Sequence, residues 1–452
     1  MLAETADPSS GLRSLSADDL EHMLTEVGDA LNQGNPALLR GEVPPEAVWG
    51  ADQLVSAGEL EKAGQLIGKA WLLAQSASID ARIHTLNWLT GVLAVLGPRE
   101  QARLLVSLNG HLVSALHEAA NPNVYGTLVQ ALVRFAPQML AAGQGEPIEP
   151  LMRVLHEHSR SDDGGLSGRQ ETAQRALSAI ATPTVLKALL GEFQCGDKIR
   201  QSKATRALVA CGEPAARALT ELLEGAESVA IRLRAVSALK AIGNEAIPIL
   251  TEKLHGNYPW FVKRNAVAVL RDVGGPQQVP LIAAQARHSD PRVRVEVMSA
   301  LGKLGGNQAV ETLIAGLNDR EAAVREQAVV SLGNLRNLRA LPALSALIGK
   351  NLLGRREASE VVQCAACAAL GQIGDDGAAE ALIKALKPEG RCSFRHSKSE
   401  AVRCAAAQAL AAYPRADVRE LLAAAAKDPN LAVRAAAGSA LRALETGFSP
   451  GD

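Results

Sequence analysis

One short pattern recurs along this chain at a constant spacing of about 30 residues, a length typical of structural repeats. It consists of an apolar residue, a cation, two variable residues and a small residue, followed by Ala-Leu and a closing Gly. Four evenly spaced copies open at Ile231, Val262, Val293 and Val324. A repeat of this length cannot bury an apolar face alone, and it becomes stable by packing against its neighbours in a solenoid. The spacing therefore predicts an elongated binding surface and disfavours a conventional enzyme pocket.

The period extends in both directions from these four copies. Before Ile231, two earlier repeats open at the same spacing. After Val324, the next two repeats open after longer intervals, and the last repeat opens at the original spacing. Two adjacent repeats therefore carry insertions of seven and nine residues. Nine repeats cover residues 169–445, and a looser match starts at Val124. The further openings are Arg169, Arg200, Val362, Val402 and Val433.

Each repeat is predicted to contain two helices. The helix that carries the pattern, the signature helix, has apolar or small residues at its positions 1, 5, 8, 9 and 12, which form one helical face. A second amphipathic run follows, such as residues 309–317. Asp290 and Pro291 mark a helix start, as an N-cap and a first-turn proline do. No stretch alternates with the period of a strand, so we expect an all-α, right-handed solenoid.

Glycines close several of the signature helices. We expect them in the left-handed conformation that commonly ends a helix, because glycine adopts it without steric cost. These residues are Gly212, Gly243, Gly274, Gly305 and Gly374.

The stretch "SDPRVRVEVMSALGKLGGNQAVETLIAGL" (289–317) resembles the HEAT-like repeat of the bacterial phycobilisome-lyase type, whose consensus is D-P-x-V-R-x-x-A-x-x-A-L-G-x-L-G. The resemblance covers residues 165–445 and is specific for fold rather than function, because such repeats serve scaffolds, lyases, chaperones and repair proteins alike. It implies that the signature helices line the concave face and that an Asp–Arg ladder joins the repeats. The matching cations, which we interpret as structural, are Arg232, Lys263, Arg294, Arg325, Arg403 and Arg434.

Composition narrows the class of protein further. The chain has 452 residues and a net charge of −1, so no overall field draws it to nucleic acid or to acidic membranes. It has no apolar run long enough to span a membrane, and no basic-then-apolar segment opens the sequence. Six cysteines in a chain of this length do not indicate a disulfide framework. We expect a soluble, cytoplasmic protein that binds no membrane.

The sequence divides into four parts. These are a disordered N-terminus (1–15), a helical region with degenerate repeats (16–160), the HEAT-like solenoid (161–445) and a tail (446–452). Residues 16–160 contain three of the four tryptophans, and helices are predicted to begin there at Ser16 and at Pro44-Pro45. One interpretation is a capping segment whose tryptophans fill its core. The other is a separate helical domain with its own partner.

A group of cysteines raises the question of a metal site. Cys364 and Cys367 form a C-x-x-C inside a predicted helix, and Cys404 occupies the position of Cys364 in the next repeat. Cys392 and His396 lie in the insertion between them. A site drawn from these five residues is one interpretation. The other, which we favour because alanines surround them, is that the cysteines replace alanine as small packing residues. We therefore expect no metal or other cofactor.

Two His-Glu pairs, at residues 117–118 and 156–157, resemble the iron-binding pairs of the helical-repeat deoxyhypusine hydroxylases. That family needs four such pairs at corresponding positions in two halves, whereas this chain has two, outside the clear repeats. No Walker loop, nucleophile elbow or dinucleotide fingerprint appears in a strand–turn–helix context. We therefore predict that the protein is not an enzyme.

The two insertions, 349–360 and 387–400, are rich in basic residues. We expect both to fall between the two helices of a repeat and to emerge along one edge of the solenoid. Insertions on one face commonly mark the binding face of a repeat protein, and a basic edge suits an acidic protein or a phosphate-bearing ligand. The alternative is that they are solvated, mobile loops. Their candidate binding residues are Arg355, Arg356, Arg391, Arg395, His396 and Lys398.

One turn between helices is unusually aromatic. Most repeats have a polar turn here, but residues 257–264 include Tyr258, Trp260 and Phe261. Tyr and Trp are favoured anchors at protein interfaces, so we take Tyr258 and Trp260 as candidate partner-binding residues. The alternative is that they pack under a neighbouring loop.

Together these features predict a protein-interaction scaffold or adaptor that binds a partner on its concave face or on the basic edge. An acidic protein is the partner that the basic edge suits. A second hypothesis, permitted by the repeat resemblance, is a bilin- or tetrapyrrole-handling lyase or chaperone. A third is a nucleic-acid-binding HEAT-like protein, which the near-zero net charge disfavours.

Overall fold

The computed structural model describes most of the chain, and within these ranges every regular element is a helix. The predicted all-α class is confirmed. The predicted disordered N-terminus and nearly all of the predicted tail lie outside the described residues. The described ranges are 45–56, 58–77, 79–141, 148–161, 168–225, 228–348, 358–387 and 399–446.

Internal contacts divide the chain into an N-terminal region, Met1–Glu221, and a C-terminal region, Leu222–Asp452. The first described helix begins at Pro45, one of the two prolines predicted to start a helix. The helices up to the boundary are α1 (Pro45–Ser56), α2 (Leu60–Ala77), α3 (Ile79–Val95), α4 (Pro98–Glu118), α5 (Pro122–Ala141), α6 (Ile148–Arg160), α7 (Arg169–Ile180), α8 (Pro183–Gln194), α9 (Lys198–Ala210) and α10 (Glu213–Gly225).

The C-terminal region alternates signature helices with second helices, several of which are preceded by a short 3-10 turn. Its helices are α11 (Val229–Ile242), α12 (Ile247–His255), α13 (Trp260–Val273), α14 (Val279–Ala284), α15 (Pro291–Leu304), α16 (Asn307–Gly316), α17 (Ala322–Leu335), α18 (Leu341–Ile348), α19 (Glu360–Ile373), α20 (Asp376–Leu386), α21 (Glu400–Ala409), α22 (Ala416–Ala425) and α23 (Leu431–Thr446).

The signature helices of the C-terminal region form one continuous layer. Helices α11, α13, α15, α17, α19, α21 and α23 each pack on the next, and second helices such as α14 and α16 pack beside them. The predicted helical face is the buried one: Val293, Val297 and Leu301 of α15 are each fully buried. This nearest-neighbour packing is that of an α-solenoid, which confirms the predicted fold class.

The helix ends follow the predicted chemistry in part. The Asp290 side chain caps α15 by accepting a hydrogen bond from the backbone N–H of Arg292. Gly374 has the predicted left-handed conformation, with φ 69° and ψ 17°, whereas Gly305 combines a φ of 71° with a ψ of −161°, outside it. The prediction was wrong for Gly274, whose φ of −79° is not left-handed. Glycine is needed there for space, because an added Cβ would lie 2.5 Å from the carbonyl oxygen of Leu270.

The insertions occupy a different place from the predicted one. Helix α18 ends at Ile348 and α19 begins at Glu360, while α20 ends at Leu386 and α21 begins at Glu400. Each insertion therefore joins the second helix of one repeat to the signature helix of the next, not the two helices of one repeat. The reason is that the signature helix comes first and a tight turn follows it, so extra length fits only in the connection between repeats.

In the N-terminal region the repeat order changes. Helices α2, α4, α6 and α9 pack in sequence, whereas α7 packs against α5 and α6. The repeat that opens at Arg169 therefore departs from the regular stack, because α9 packs on α6 as its neighbour. Trp71 is buried in this region, and Trp88 is half-buried.

Among the described residues, no single helix has the length and apolar character needed to cross a membrane. The pair Arg169–Ile180 and Pro183–Gln194 meets the length and composition test only when taken together, and it is bent by 76°.

Candidate functional site

The structure places some of the predicted site residues and leaves others outside the described ranges. Tyr258, Trp260 and all six ladder cations are described. The six basic residues of the insertions lie outside the described residues, so their role stays a prediction. They are Arg355, Arg356, Arg391, Arg395, His396 and Lys398.

Arg294 on α15 lies at the junction of two repeats and is 4% exposed. Its Nε and Nη2 donate to the two carboxylate oxygens of Asp319 at 2.7 and 2.8 Å. Its Nη1 donates to the carbonyl oxygens of His288 and Ser289 at 2.8 and 3.1 Å. Burial alone would raise the pKa of Asp319, but the hydrogen bonds from Arg294 and from the backbone of Glu321, with the nearby arginine charges, together hold that pKa below its usual value.

The same arrangement recurs at Arg403, whose Nη2 and Nη1 donate to the carboxylate of Asp428. In both pairs the aspartate follows the arginine by 25 residues. The next signature helix then binds the backbone of the same aspartate. Arg325 Nη1 donates to the Asp319 carbonyl at 2.8 Å, and Arg434 Nη1 donates to the Asp428 carbonyl at 2.9 Å.

Three ladder positions differ because no aspartate follows the cation by 25 residues, and for Arg325 the residue at that place is Lys350. Asn257 and His288 occupy the place of the aspartate in the repeats of Arg232 and Lys263. Lys263 Nζ donates instead to the carbonyl oxygen of Leu254 at 3.2 Å. The structural role of all six cations stays a prediction that stability measurements can test.

Asp272 on α13 binds lysines from the signature helices on both sides. The Nζ atoms of Lys240 and Lys303 lie 2.6 and 2.7 Å from its carboxylate. Burial would raise the pKa of Asp272, but these two hydrogen bonds hold it well below its usual range. Arg271 adds an ion pair to Glu296 at 2.7 Å. Sequence reasoning missed this network, although Lys303 follows Asp272 by 31 residues, the spacing of neighbours in this repeat.

The aromatic turn joins α12 to α13, and its side chains pack with cations. Lys253 Nζ lies 4.1 Å from the centroid of the Tyr258 ring and 2.7 Å from the carboxylate of Glu224. The rings of Trp260 and Phe261 meet edge to face at 5.8 Å. All three aromatic side chains are half-buried, so part of each remains accessible at the surface.

Two arginines flank Trp260. The guanidinium carbon of Arg292, from the next repeat, lies 3.4 Å from the centroid of the indole ring, and that of Arg264 lies at 6.0 Å. Arg292 is held in turn by two hydrogen bonds to the Asp290 carboxylate, at 3.0 and 2.7 Å. These bonds lower the pKa of Asp290 to about 2. The sequence analysis identified Trp260 but missed Arg264 and Arg292. The constant spacing of the repeats could have indicated that these arginines lie close to Trp260.

The cysteines do not come together with other ligands in the described part of the chain. Cys367 is buried, and Cys364 and Cys404 are half-buried. Burial raises the pKa of both half-buried thiols, which disfavours the thiolate that metals bind. Over the described ranges, no three His, Cys, Asp or Glu side chains are grouped to hold a metal ion. Cys392 and His396 lie outside those ranges.

In the N-terminal region, His117 packs against His158 with ring centroids 5.5 Å apart. His158 Nδ1 lies 3.1 Å from the Tyr125 hydroxyl, and its Nε2 lies 3.0 Å from Nη2 of Arg169. Because arginine only donates, Nε2 accepts, and the ring is neutral. Burial, aided by the Arg169 charge, lowers the pKa of His158 to about 4. Arg169 also donates to the carbonyl oxygen of His117 in the last turn of α4, so this cluster joins α4, α5, α6 and α7.

Comparisons with known proteins agree with this architecture. The model of the PBS lyase HEAT-like repeat matches residues 231–256. Together with the HEAT repeats model, this match confirms the predicted resemblance to a HEAT-like repeat family over residues 231–450. The HEAT repeats model matches residues 248–323, 279–360, 310–392 and 388–450.

No curated protein matches the chain in sequence. Among solved structures, human deoxyhypusine hydroxylase in complex with glycerol is 18% identical with a TM-score of 0.26, over 66% of this chain and 97% of that one. The Kap95:Nup1 complex is 14% identical with a TM-score of 0.39, over 96% and 70%. An engineered protein is 20% identical with a TM-score of 0.28, over 86% and 99%. These similarities are too low to carry an argument about function.

Proposed function

We propose that this protein is a non-catalytic scaffold or adaptor that holds a partner protein on the repeats of its C-terminal region. The observation that carries the proposal is the unbroken layer of seven signature helices, α11 to α23, within residues that match HEAT repeats. Such a layer grows by adding repeats rather than by enclosing a cavity, and it offers a long surface to a partner.

The proposed contact lies at the aromatic turn, where Tyr258 and Trp260 are half-buried and accessible. Large aromatic side chains at a surface lose little conformational entropy when a partner covers them, and they dominate the energy of many interfaces. The six basic residues of the insertions are proposed as additional contacts on sequence grounds. Because each insertion leads into the start of a signature helix, as the aromatic turn does, both belong to the connections between repeats.

The test compares capture of partners by the full-length protein and two variants. Trp260→Ala removes the proposed anchor, and Trp88→Ala removes another half-buried tryptophan, in the N-terminal region, as a matched control. Each purified protein is immobilised and exposed to extract of the source cell, and bound proteins are quantified by mass spectrometry. Thermal unfolding followed by circular dichroism checks that each variant is folded.

We expect at least one protein that wild type and Trp88→Ala retain equally and that Trp260→Ala loses. An interface hot spot contributes about 2 kcal/mol or more, which corresponds to about a 30-fold weaker Kd. Titration of the purified partner then measures that loss directly. The proposal fails if no retained protein distinguishes the two variants, or if the protein instead shifts the absorbance of an added bilin.

A further inference from the structure

Two guanidinium groups flank one indole ring at the start of α13. Arg292 stacks on Trp260 at 3.4 Å, and Arg264 lies 6.0 Å from the same ring centroid. The Arg292 side chain is 58% exposed, so the stack forms at the surface rather than in the core. We call Trp260, Arg264 and Arg292 the Arg–Trp site.

Both arginines retain unused hydrogen-bond donors. Arg292 uses Nε and Nη2 to bind Asp290, and Arg264 uses Nη2 to bind the side-chain oxygen of Asn265 at 2.9 Å. No other residue in the described part of the chain accepts from their Nη1 groups, and Arg264 forms no ion pair there. A guanidinium that is already held by an aromatic ring loses less conformational freedom on binding than a mobile lysine.

The local charge and geometry decide which ligand fits. The site carries two cations against the single carboxylate of Asp290, and a planar guanidinium matches a carboxylate through paired hydrogen bonds. Single-stranded nucleic acid also binds arginine and aromatic residues, but its bases stack on open ring faces. Here Arg292 already covers one face of Trp260, and the neighbouring Phe261 ring meets it edge to face. The geometry therefore favours a carboxylate over a base.

We infer that the Arg–Trp site binds Asp or Glu side chains of an acidic peptide segment in the partner, with Arg264 and Arg292 contacting the carboxylates. The inference rests on the proposed function and specifies the chemistry of the partner. The Asp290 carboxylate, which also caps α15, fixes the Arg292 guanidinium against Trp260 and leaves one edge of it for a second carboxylate.

The test uses the full-length protein and a short fluorescein-labelled peptide of repeated Gly-Glu-Leu-Glu sequence. Its comparison is the same peptide with every Glu replaced by Gln. Fluorescence anisotropy at low salt measures both affinities for wild type, Arg264→Gln and Arg292→Gln. The matched control is Arg419→Gln, which removes an exposed cation from α22. Arg292→Lys keeps the charge but removes the planar group that stacks.

We expect the Glu peptide to bind at least about tenfold more tightly than the Gln peptide, as for hydrogen bonds to charged groups. Each glutamine variant should lose about tenfold, Arg292→Lys should lose part of the affinity, and Arg419→Gln should match wild type. Equal binding of the two peptides, or equal losses in the site and control variants, would overturn the inference. The inference would also be overturned if the protein bound a labelled oligo-dT strand but not the Glu peptide, and if the site variants abolished that binding.

The inference and the proposed function can fail separately. A captured partner that depends on Trp260 but not on Arg264 or Arg292 would leave the scaffold standing and refute the carboxylate contact. Site-dependent binding of the Glu peptide without any captured partner would support the carboxylate contact and refute the scaffold. Thermal unfolding of each variant separates loss of binding from loss of fold.

Discussion

At the scale of single residues, burial separates two arginines that occupy the same repeat position. Arg294 is 4% exposed and binds the Asp319 carboxylate with two hydrogen bonds. Arg325 is half-buried, and among the described residues it donates only to the backbone carbonyls of Asp319 and Arg320, at 2.8 and 3.1 Å. Removing Arg294 would leave the half-buried carboxylate of Asp319 without its cation, whereas removing Arg325 would leave backbone carbonyls without a donor.

We therefore expect Arg294→Ala to lower the free energy of unfolding by about 3–5 kcal/mol, the range for breaking a buried ion pair. Arg325→Ala should lower it by only about 1 kcal/mol, the net value of ordinary hydrogen bonds. Urea unfolding followed by circular dichroism measures both. In a double-mutant cycle, Asp319→Asn should cost much less in the Arg294→Ala background than in wild type. Equal costs for the two arginine variants would refute this assignment.

At the scale of helices, glycines at one repeat position allow signature helices to pack closely. A Cβ added at Gly333 would lie 2.9 Å from the Cα of Ala369, and one added at Gly371 would lie 3.1 Å from the Cα of Ala409. Both contacts join one signature helix to the next. The sequence contains this signal, since each glycine follows the Leu of the signature pattern. Whether such a glycine is needed for close packing, however, depends on which residue of the next repeat it faces.

Gly371→Ala should lower the free energy of unfolding by about 1–3 kcal/mol, because the new methyl group meets backbone atoms that cannot move aside cheaply. Gly438→Ala in α23 is the matched control. There an added Cβ meets only the end of Arg442 at 3.9 Å, so alanine should stabilise the helix by about 0.5–1 kcal/mol. Thermal unfolding compares the two. A destabilisation of similar size at both positions would show that helix spacing is not the cause.

Asp272 couples three signature helices, and its ionisation makes their packing sensitive to acid. Its pKa in the folded state lies below the value of about 3.9 in an unfolded chain, because Lys240 and Lys303 stabilise the carboxylate. The unfolded chain therefore takes up the proton first as the pH falls. The stabilisation is complete above about pH 5 and is lost progressively below the unfolded pKa, toward the folded one.

Asp272→Asn should accordingly be less stable than wild type near neutral pH, and its stability should fall less steeply as the pH is lowered through about 4. Urea unfolding at a series of pH values gives both slopes. Asp80→Asn, in α3 of the N-terminal region, provides a comparison outside the ion-pair network. Parallel slopes for Asp272→Asn and wild type would contradict the coupling.

At the scale of the whole chain, the period in the sequence predicted the helices far better than their contacts. The repeat opened by Val293 corresponds to a helix that begins two residues earlier, at Pro291. The same pattern at Arg169 also forms a helix, yet α7 packs against α5 and α6 instead of continuing the regular stack. The pattern records which face of a helix is apolar, but not which neighbour covers that face.

The candidate site was only partly predictable for the same reason. Aromatic residues in a turn indicated Tyr258 and Trp260, because most other repeats are polar at that place. The stacking of Arg292 on Trp260 brings together two side chains from adjacent repeats. The hydrogen bond from Arg292 to Asp290 helps to fix the orientation of the Arg292 side chain. Spacing alone places such residues near each other, and only the packed structure brings their groups into contact.

The last prediction concerns the cooperativity of folding in the solenoid. A chain that ends after Lys427 tests it. This truncation removes α23, whose buried face consists of Val433 and three alanines packed on α21, together with Asp428, the partner of Arg403. Because each repeat contacts only its neighbours, the loss should stay local. The lost burial of one valine and three methyl groups should lower the free energy of unfolding by about 4 kcal/mol, and the broken Arg403–Asp428 pair should lower it further.

Circular dichroism should show that the shortened chain loses only the signal of this 16-residue helix. A dye that reports apolar surface should bind more strongly, since the face of α21 that carries Val402 and Ala406 is uncovered. A chain ending after Thr446 is the control and should match wild type in both measurements. Loss of helix throughout the C-terminal region would mean that the repeats fold as one inseparable core, and it would contradict the nearest-neighbour account on which the stacking of signature helices depends.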